Sequence, residues 1–392
     1  MSVDIAGIQK DLKAAKVDGW LFYDFRGRDP IAQRILQLPP GMRTRRWFYF
    51  IPAKGVPKKL VHRIETQSLA GLLGDTLYFS AQKELQSNLK KLLGRAKKVA
   101  MQYSPKNAIP YVSMVDAGTI ELVRAAGAKV VSSADLVQKY EACWSKEQLE
   151  SHLAAGKAID RIISEAFAHV AQSVREKRAL TEYDLQQWIL VKFAEAGITT
   201  EEGPDVAVNA NASDPHYAPS KEKAAAIREG DLLLLDVWGK QKAAGSVYYD
   251  VTWIGYVGAK VPEKYAKIFA LIREARDTAV NFIISNVKAG KPVQGWQVDK
   301  AARGVIEKAG YGKYFYHRTG HSIGEAVHGN GANMDGLETH DERHLIPRTC
   351  NSVEPGIYLP EFGMRTEVDV YIDEKEARVT GPAQKEILAL LT

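Results

Sequence analysis

Leu232-Leu233-Leu234-Leu235-Asp236-Val237-Trp238 is an apolar run that closes on an acid. Four consecutive leucines predict a strand over 231–238 with both faces buried, and a carboxylate directly after them is costly unless something compensates its charge. Tyr248-Tyr249-Asp250-Val251-Thr252-Trp253 repeats the arrangement, with an acid embedded among strand formers in a predicted strand over 247–257. A solvated strand end would account for Asp236 by itself, but it does not account for both acids. If Asp236 and Asp250 face the same side of neighbouring strands they share a site, and without a cation their like charges would keep one of them protonated.

The C-terminal third extends the pattern. Gly320-His321-Ser322-Ile323-Gly324 sets a histidine between glycines, and His317 and His328 lie within the same short stretch, 317–328. A lone histidine is usually structural; three this close are harder to dismiss. Ser352-Val353-Glu354-Pro355-Gly356-Ile357-Tyr358 puts an acid at a strand end beside a tight turn, in a strand predicted over 349–358. In Gly363-Met364-Arg365-Thr366-Glu367-Val368-Asp369-Val370, part of a strand predicted over 364–372, Arg365, Glu367 and Asp369 alternate onto one face. Taken singly, that face is an ordinary polar surface. Together, four carboxylates and one imidazole offer more donors than a tetrahedral zinc site needs, and they suit two neighbouring divalent ions. Oxygen-rich donors favour Mn²⁺, Co²⁺ or Zn²⁺ over soft-metal chemistry.

Helical spacing surrounds these strands. Ser145 with Gln148 forms a capping box ahead of a stripe running from Leu149 to Val170, and further helices are expected from near Thr181 to Gly197, over 262–287 and over 293–310. Residues 151–392 therefore read as helices packed on an antiparallel sheet, an α+β catalytic domain. Residues 1–150 alternate helix (5–15, 85–93, 115–126) with strand (19–23, 47–52, 59–62, 98–101, 128–131), which predicts a separate α/β domain. A chain of 392 residues is long enough for two cores.

Hydrophobic residues make up 45% and charged residues 26%, the balance of a globular protein. No aliphatic run is long enough to span a membrane and the N-terminus lacks a secretion pattern, so a cytoplasmic protein is expected. Two cysteines, Cys143 and Cys350, exclude a disulfide framework or a thiolate metal cage, and Cys350 is expected to be a small buried residue. Residues 1–150 carry 24 Lys and Arg against 14 Asp and Glu, but the basic residues are scattered without a recognition motif. A solvated basic face is the expectation, with no nucleic-acid partner.

Asp236, Asp250-x-Thr252, Gly320-His321-x-x-Gly324, Glu354-Pro355-Gly356-x-Tyr358 and Arg365-x-Glu367, in this order, resemble the pita-bread metallopeptidases, the superfamily of methionine aminopeptidase, Xaa-Pro aminopeptidase and Xaa-Pro dipeptidase (prolidase). The likeness covers roughly residues 150–392, and residues 1–150 resemble the N-terminal domain of the prolidase, aminopeptidase P and creatinase branch. The resemblance implies two metal ions on Asp236, Asp250, His321, Glu354 and Glu367, with Asp250 and Glu367 bridging and Glu354 also acting as general base toward a water between the metals. It implies that His328 stabilises the tetrahedral intermediate or passes a proton to the leaving nitrogen. It further implies that His216 lies in the substrate site with a catalytic part, that His317 lines a proline pocket, and that Arg365 faces the substrate carboxylate. A small proline-containing peptide and a homodimer are the implied partners.

Three departures stand out. Asp236 and Asp250 are farther apart than the family usually shows, with the surplus at 240–245, a longer hairpin tip. Trp253 replaces a basic residue after Thr252, and the strand Asp205-Val206-Ala207-Val208 has no tyrosine where relatives often carry one. The expected reaction is hydrolysis of Xaa-Pro dipeptides, with an Xaa-Pro aminopeptidase as the alternative. A metal-free creatinase-like hydrolase or an inactive binding protein would have lost ligands, and none is lost.

Overall fold

The computed structural model describes residues 3–392, and the chain divides into two compact units, one ending at Glu141 and the other running Ala142–Thr392. The first contains α1 (Ile5–Ala14), β1 (Gly19–Asp24), α2 (Pro30–Ile35), β2 (Trp47–Pro52), β3 (Lys58–His62), β4 (Asp75–Phe79), α3 (Gln82–Leu93), β5 (Lys98–Met101), α4 (Ala117–Ala125), β6 (Lys129–Ser132) and α5 (Ala134–Glu141). Its strands form one mixed sheet in the order β4-β3-β2-β1-β5-β6. Central β1 is buried throughout because its residues alternate between two cores. Trp20 and Phe22 pack with Ile8 and Leu12 of α1, whereas Leu21 and Tyr23 pack with Leu85 and Leu89 of α3. Edge strand β4 is only partly buried and was not expected, although Thr76-Leu77-Tyr78-Phe79 is a short run of strand formers.

The second unit opens with α6 (Lys146–Arg175), capped as its sequence predicts: the Gln148 amide donates to Ser145 Oγ at 3.1 Å and the Ser145 amide to Gln148 Oε1 at 2.9 Å. It continues through α7 (Glu182–Glu195), β7 (Ile198–Thr199), β8 (Asp205–Val208), β9 (Leu232–Gln241), β10 (Tyr249–Tyr256), α8 (Glu263–Lys288), α9 (Gly295–Lys308) and β11 (Ser322–Ile323). The chain finishes with β12 (Thr349–Val353), β13 (Gly356–Leu359), β14 (Phe362–Arg365), β15 (Val368–Ile372), β16 (Ala377–Val379) and β17 (Leu388–Ala389). One sheet carries β17-β10-β9-β7, with β8 also on β9; a second carries β11-β12-β15-β16, and β13 pairs with β14 alone. Helices on mostly antiparallel sheet make this unit α+β.

The two expected C-terminal strands are each broken in two, at Glu354-Pro355 and at Thr366-Glu367. Proline has no N–H to give a ladder, which ends β12 beside its acid. The four leucines of β9 are buried on both faces. Leu233 and Leu235 join Ile159 and Ile189 of α6 and α7, while Leu232 and Leu234 join Ile272 of α8 and Ala302 of α9. Asp236 continues the second of these faces, so period-two alternation delivers it into the interior. No helix among the described residues is long and apolar enough to cross a membrane.

Glu182 at the start of α7 is fully buried and organises the segment after β8. Its carboxylate accepts from the amides of Val208 and Ala225, both at 2.7 Å, from Asn211 Nδ2 at 3.0 Å and from the Tyr217 hydroxyl at 2.6 Å. Glu182→Ala leaves these donors unpaired at once, and we expect the second unit to lose about 3 kcal/mol in denaturant unfolding. A loss within about 0.5 kcal/mol of wild type, the range of an ordinary surface substitution, would contradict that organising role.

Candidate metal centre

The register of β9 and β10 settles which acids share a face. Asp236 is paired with Thr252 across the ladder, and Asp250 lies two residues before Thr252 on the same strand. Cross-strand partners and i, i+2 neighbours point to one side of a sheet, so Asp236, Thr252 and Asp250 do so together. Onto that side the second sheet brings Glu367, whose Oε2 accepts from Thr252 Oγ1 at 2.7 Å.

His321 comes from the segment ahead of β11. Gly320 before it touches the end of β12 so closely that a Cβ would lie 2.0 Å from the Ser352 carbonyl oxygen, so only glycine fits. Backbone bonds from Ser352 to the His321 carbonyl at 2.9 Å and from Glu354 to the Thr319 carbonyl at 2.7 Å fix His321 and Glu354 side by side. His321 Nδ1 lies 3.2 Å from the Ser322 carbonyl, which assigns it the proton and leaves the Nε2 lone pair free. Nε2 is 3.6 Å from Asp250 Oδ2 and 3.5 Å from Glu354 Oε1. Donor atoms of Asp250, His321 and Glu367 all lie within 4.8 Å of one another. All five expected ligands are therefore brought into one cluster.

Charge makes this cluster unstable by itself. Burial, reinforced by Asp236, drives Asp250 well above the ordinary carboxylate range, and burial with Asp250 and Glu354 does the same to Glu367. Glu354 is pushed up to about 7 by burial, although Arg365 pulls the other way. His321 is held well below 6.5 by burial and by neighbouring His328, which keeps it neutral. Asp236 Oδ1 is buried without a hydrogen-bond partner. Crowded carboxylates, a neutral imidazole and an orphaned oxygen are the donor set that a divalent cation satisfies, and the residues present fit one.

Arg365, expected to face a substrate carboxylate, is instead turned inward and only 4% exposed. Its Nη2 donates to Asp236 Oδ2, its Nη1 to the Tyr358 hydroxyl at 3.0 Å and its Nε to Thr252 Oγ1 at 3.2 Å, with Glu354 Oε2 at 3.8 Å. Tyr358 was visible in its motif but carried no expected role. Its hydroxyl also meets His317 Nε2 at 2.7 Å, so His317 reaches the centre through Tyr358 and Arg365. His317 Nδ1 lies 2.7 Å from the Arg318 carbonyl. Burial and Arg365 push His317 down to about 3.

His328 is exposed as a residue, its ring lies 4.3 Å from that of His321 and nearly perpendicular to it, and desolvation of the imidazole with Arg318 pushes it down to about 4. His216 is exposed in the segment after β8, where its amide donates to Asp214 Oδ1 at 3.0 Å. Cys350 is buried.

Two supports gave no local sequence signal. Asp299 of α9 accepts from Thr319 Oγ1 at 2.7 Å and from the Thr319 amide at 3.0 Å, and Arg303 joins Asp299 to the His317 carbonyl at 2.8 Å. Asp205, the cross-strand partner of Asp236, is pushed up to about 8 by burial and by Asp236.

Comparison with known proteins agrees with this architecture. Metallopeptidase family M24 matches residues 153–374. The protein named "Probable dipeptidase PepE" in Mycobacterium bovis is 29% identical over 259 residues, 66% of this chain and 63% of that protein, so the likeness spans under two thirds of that relative's length. The Xaa-Pro dipeptidase of Pyrococcus furiosus is 28% identical over 258 residues, 65% of this chain and 67% of its own. Among solved structures, dipeptidase PepE from Mycobacterium ulcerans superposes with a TM-score of 0.72 at 23% identity, covering 98% of this chain and 96% of that one. Recombinant prolidase from Thermococcus sibiricus gives 0.65 at 22% identity with 99% of each chain covered. Both share the fold, which is the pita-bread fold with an N-terminal domain.

The shifts set a pH dependence for protein stripped of metal by a chelator. A histidine lowered on folding contributes stability that is lost as pH falls through its folded pKa, and His317 and His328 lose theirs toward about 3 and 4. A carboxylate raised on folding contributes stability present below its unfolded pKa and lost as pH rises through the folded one, about 7 for Glu354 and about 8 for Asp205. Above about pH 7.5 the unfolded histidines have also lost their protons and the raised acids alone are still titrating, so the melting temperature of the stripped protein falls between about pH 7.5 and 8.5. Calorimetry at fixed ionic strength that finds a rise there would contradict the buried-acid account.

Proposed function

This chain belongs to metallopeptidase family M24, and from that premise we propose that it is a two-metal peptidase cleaving the bond before a C-terminal proline in dipeptides. The observation that carries the reading is the convergence of Asp236, Asp250, His321, Glu354 and Glu367 in a buried cluster with a deficit of positive charge. In this reading those five residues would hold two ions, either Mn²⁺, Zn²⁺ or Co²⁺, and Asp250 and Glu367 would be the ligands common to both. When bound, such ions polarise a carbonyl and acidify a water near neutral pH.

The chain's own groups do the rest. Glu354 stands at the edge of the cluster with Ser352 Oγ donating to its Oε1 at 3.2 Å, and a carboxyl raised toward neutrality can take a proton from the attacking water and return it. Neutral His328, exposed beside His321, can donate to the developing oxyanion or to the leaving proline nitrogen. His216, on the exposed segment organised by Glu182, is assigned to the substrate. His317 and Tyr358 form an aromatic wall beside Arg365, their rings 5.3 Å apart, where a proline ring would rest. Arg365 holds Asp236 and Tyr358 in place, so the substrate carboxylate must meet another cation.

Dipeptides are preferred over longer peptides because relatives that align over about two thirds of this chain bear the names dipeptidase and Xaa-Pro dipeptidase. We expect turnover of Ala-Pro that disappears after dialysis against a chelator and returns with Mn²⁺, and slower turnover of Ala-Pro-Ala. Faster cleavage of the tripeptide would replace this reading with an aminopeptidase, and activity surviving complete metal removal would end it. Glu354→Gln should lower kcat by at least about 10²-fold, the contribution of a positioned general base. A near wild-type rate would remove Glu354 from that role.

A further inference from the structure

β10 and β15 belong to different sheets, and no ladder joins them. β17 pairs with β10 only at Gly255 and Tyr256, so the rest of the outer edge of β10 is a buried row of main-chain groups without a partner strand. Side chains close most of that edge. The Asp250 amide donates to Asp369 Oδ2 at 2.8 Å, and the Ile254 amide and carbonyl are both taken by the Gln384 amide group, at 2.9 and 2.6 Å. Between them the Glu367 amide reaches the Thr252 carbonyl at 3.5 Å.

Asp369 is the unusual member. It is 1% exposed, and its second oxygen, Oδ1, is buried with no hydrogen-bond partner. His152 of α6, itself fully buried, lies behind it with Nε2 3.9 Å from Asp369 Oδ2, 2.7 Å from Thr380 Oγ1 and Nδ1 2.6 Å from the Tyr248 carbonyl. A buried carboxylate with one unsatisfied oxygen costs stability relative to an apolar residue of similar size. Breaking that rule next to the cluster points to function.

We propose that Asp369 is a positioning residue for the metal pair: it fixes the backbone of Asp250 from β15, the strand that starts directly after Glu367, and so sets the distance between the two carboxylates assigned as shared ligands. The inference rests on the metal reading above. One carboxylate thereby couples two ligands carried by different sheets, with His152 bracing the Tyr248 carbonyl two residues before Asp250.

The test is a Co²⁺ titration of the chelator-treated full chain, read by calorimetry and by the visible absorption of the bound ion. Wild type, Asp369→Leu and Asp369→Asn are compared, the last keeping an acceptor for the Asp250 amide. Wild type takes up two ions. In Asp369→Leu at least one dissociation constant rises about 10–100-fold, the range for losing an outer partner of a metal ligand, and the visible spectrum changes. Asp369→Asn recovers most of the affinity and the wild-type spectrum. If Asp369→Leu does not fold, Asp369→Ser, whose hydroxyl is too short to reach the amide, takes its place with the same expectation. Wild-type affinity and spectrum in the Leu or Ser variant overturn the proposal, as does an Asn variant as impaired as Leu. Failure of wild type to bind Co²⁺ at all would instead overturn the metal reading on which it stands.

Discussion

Four carboxylates and an imidazole share a volume from which most water is excluded, and the guanidinium of Arg365 is hydrogen-bonded to one of the acids and lies within 3.8 Å of a second. Asp236 takes that guanidinium. The repulsion among the remaining acids in a low-dielectric setting exceeds what one Arg365 can neutralise, so the cluster is held together by the rest of the fold rather than by its own contacts. The segment 317–321 is pinned by Asp299 and Arg303, the region after β8 by Glu182, and the Asp250 backbone by Asp369. Each spends hydrogen bonds on main-chain groups near the site. Such a framework stores the cost of keeping the acids together, and a bound cation relieves it.

Much of this could be read in advance, for a local reason. An acid following four leucines, or set between tyrosine and valine in a strand, contradicts its surroundings, and the contradiction lies within a few residues. That made Asp236 and Asp250 conspicuous before any pairing was known. Glu367 was not conspicuous, because alternation of Arg365, Glu367 and Asp369 is equally the pattern of a solvent-facing strand. Its burial comes from the sheet of β9 and β10, which it meets at Thr252, a tertiary fact with no trace in period. The direction of Arg365 was hidden for the same reason: a guanidinium two residues from Glu367 can face outward to a ligand or inward to Asp236, and only the neighbours decide.

Other features escaped because their partners are distant in the chain. Glu182 looks like an ordinary acid in the first turn of a helix, yet it gathers donors from Val208 through Ala225. Asp299 and Arg303 look like an exposed i, i+4 pair, yet they hold Thr319 and His317. The breaks at Glu354-Pro355 and Thr366-Glu367 were readable in part. Proline forbids the ladder at the first, whereas the second occurs where the chain leaves β14 to present Glu367 to Thr252.

That second break bears on how a two-sheet site opens. Strands joined by a main-chain ladder run about 4.8 Å apart, and acids directly opposed across such a ladder would destabilise it. β10 and β15 avoid that arrangement. They approach at Thr252 and Glu367, where an amide and a carbonyl meet at 3.5 Å, and at Asp250 a whole carboxylate stands between the two backbones. An interposed side chain holds backbones farther apart than a direct bond can. At Asp250 the spacing is therefore set by the Asp369 side chain, and Asp250 joins Glu367 and His321 in the donor cluster. A continuous ladder would have left no place for that carboxylate; here side chains complete the edge of β10 at Asp250 and Ile254 instead.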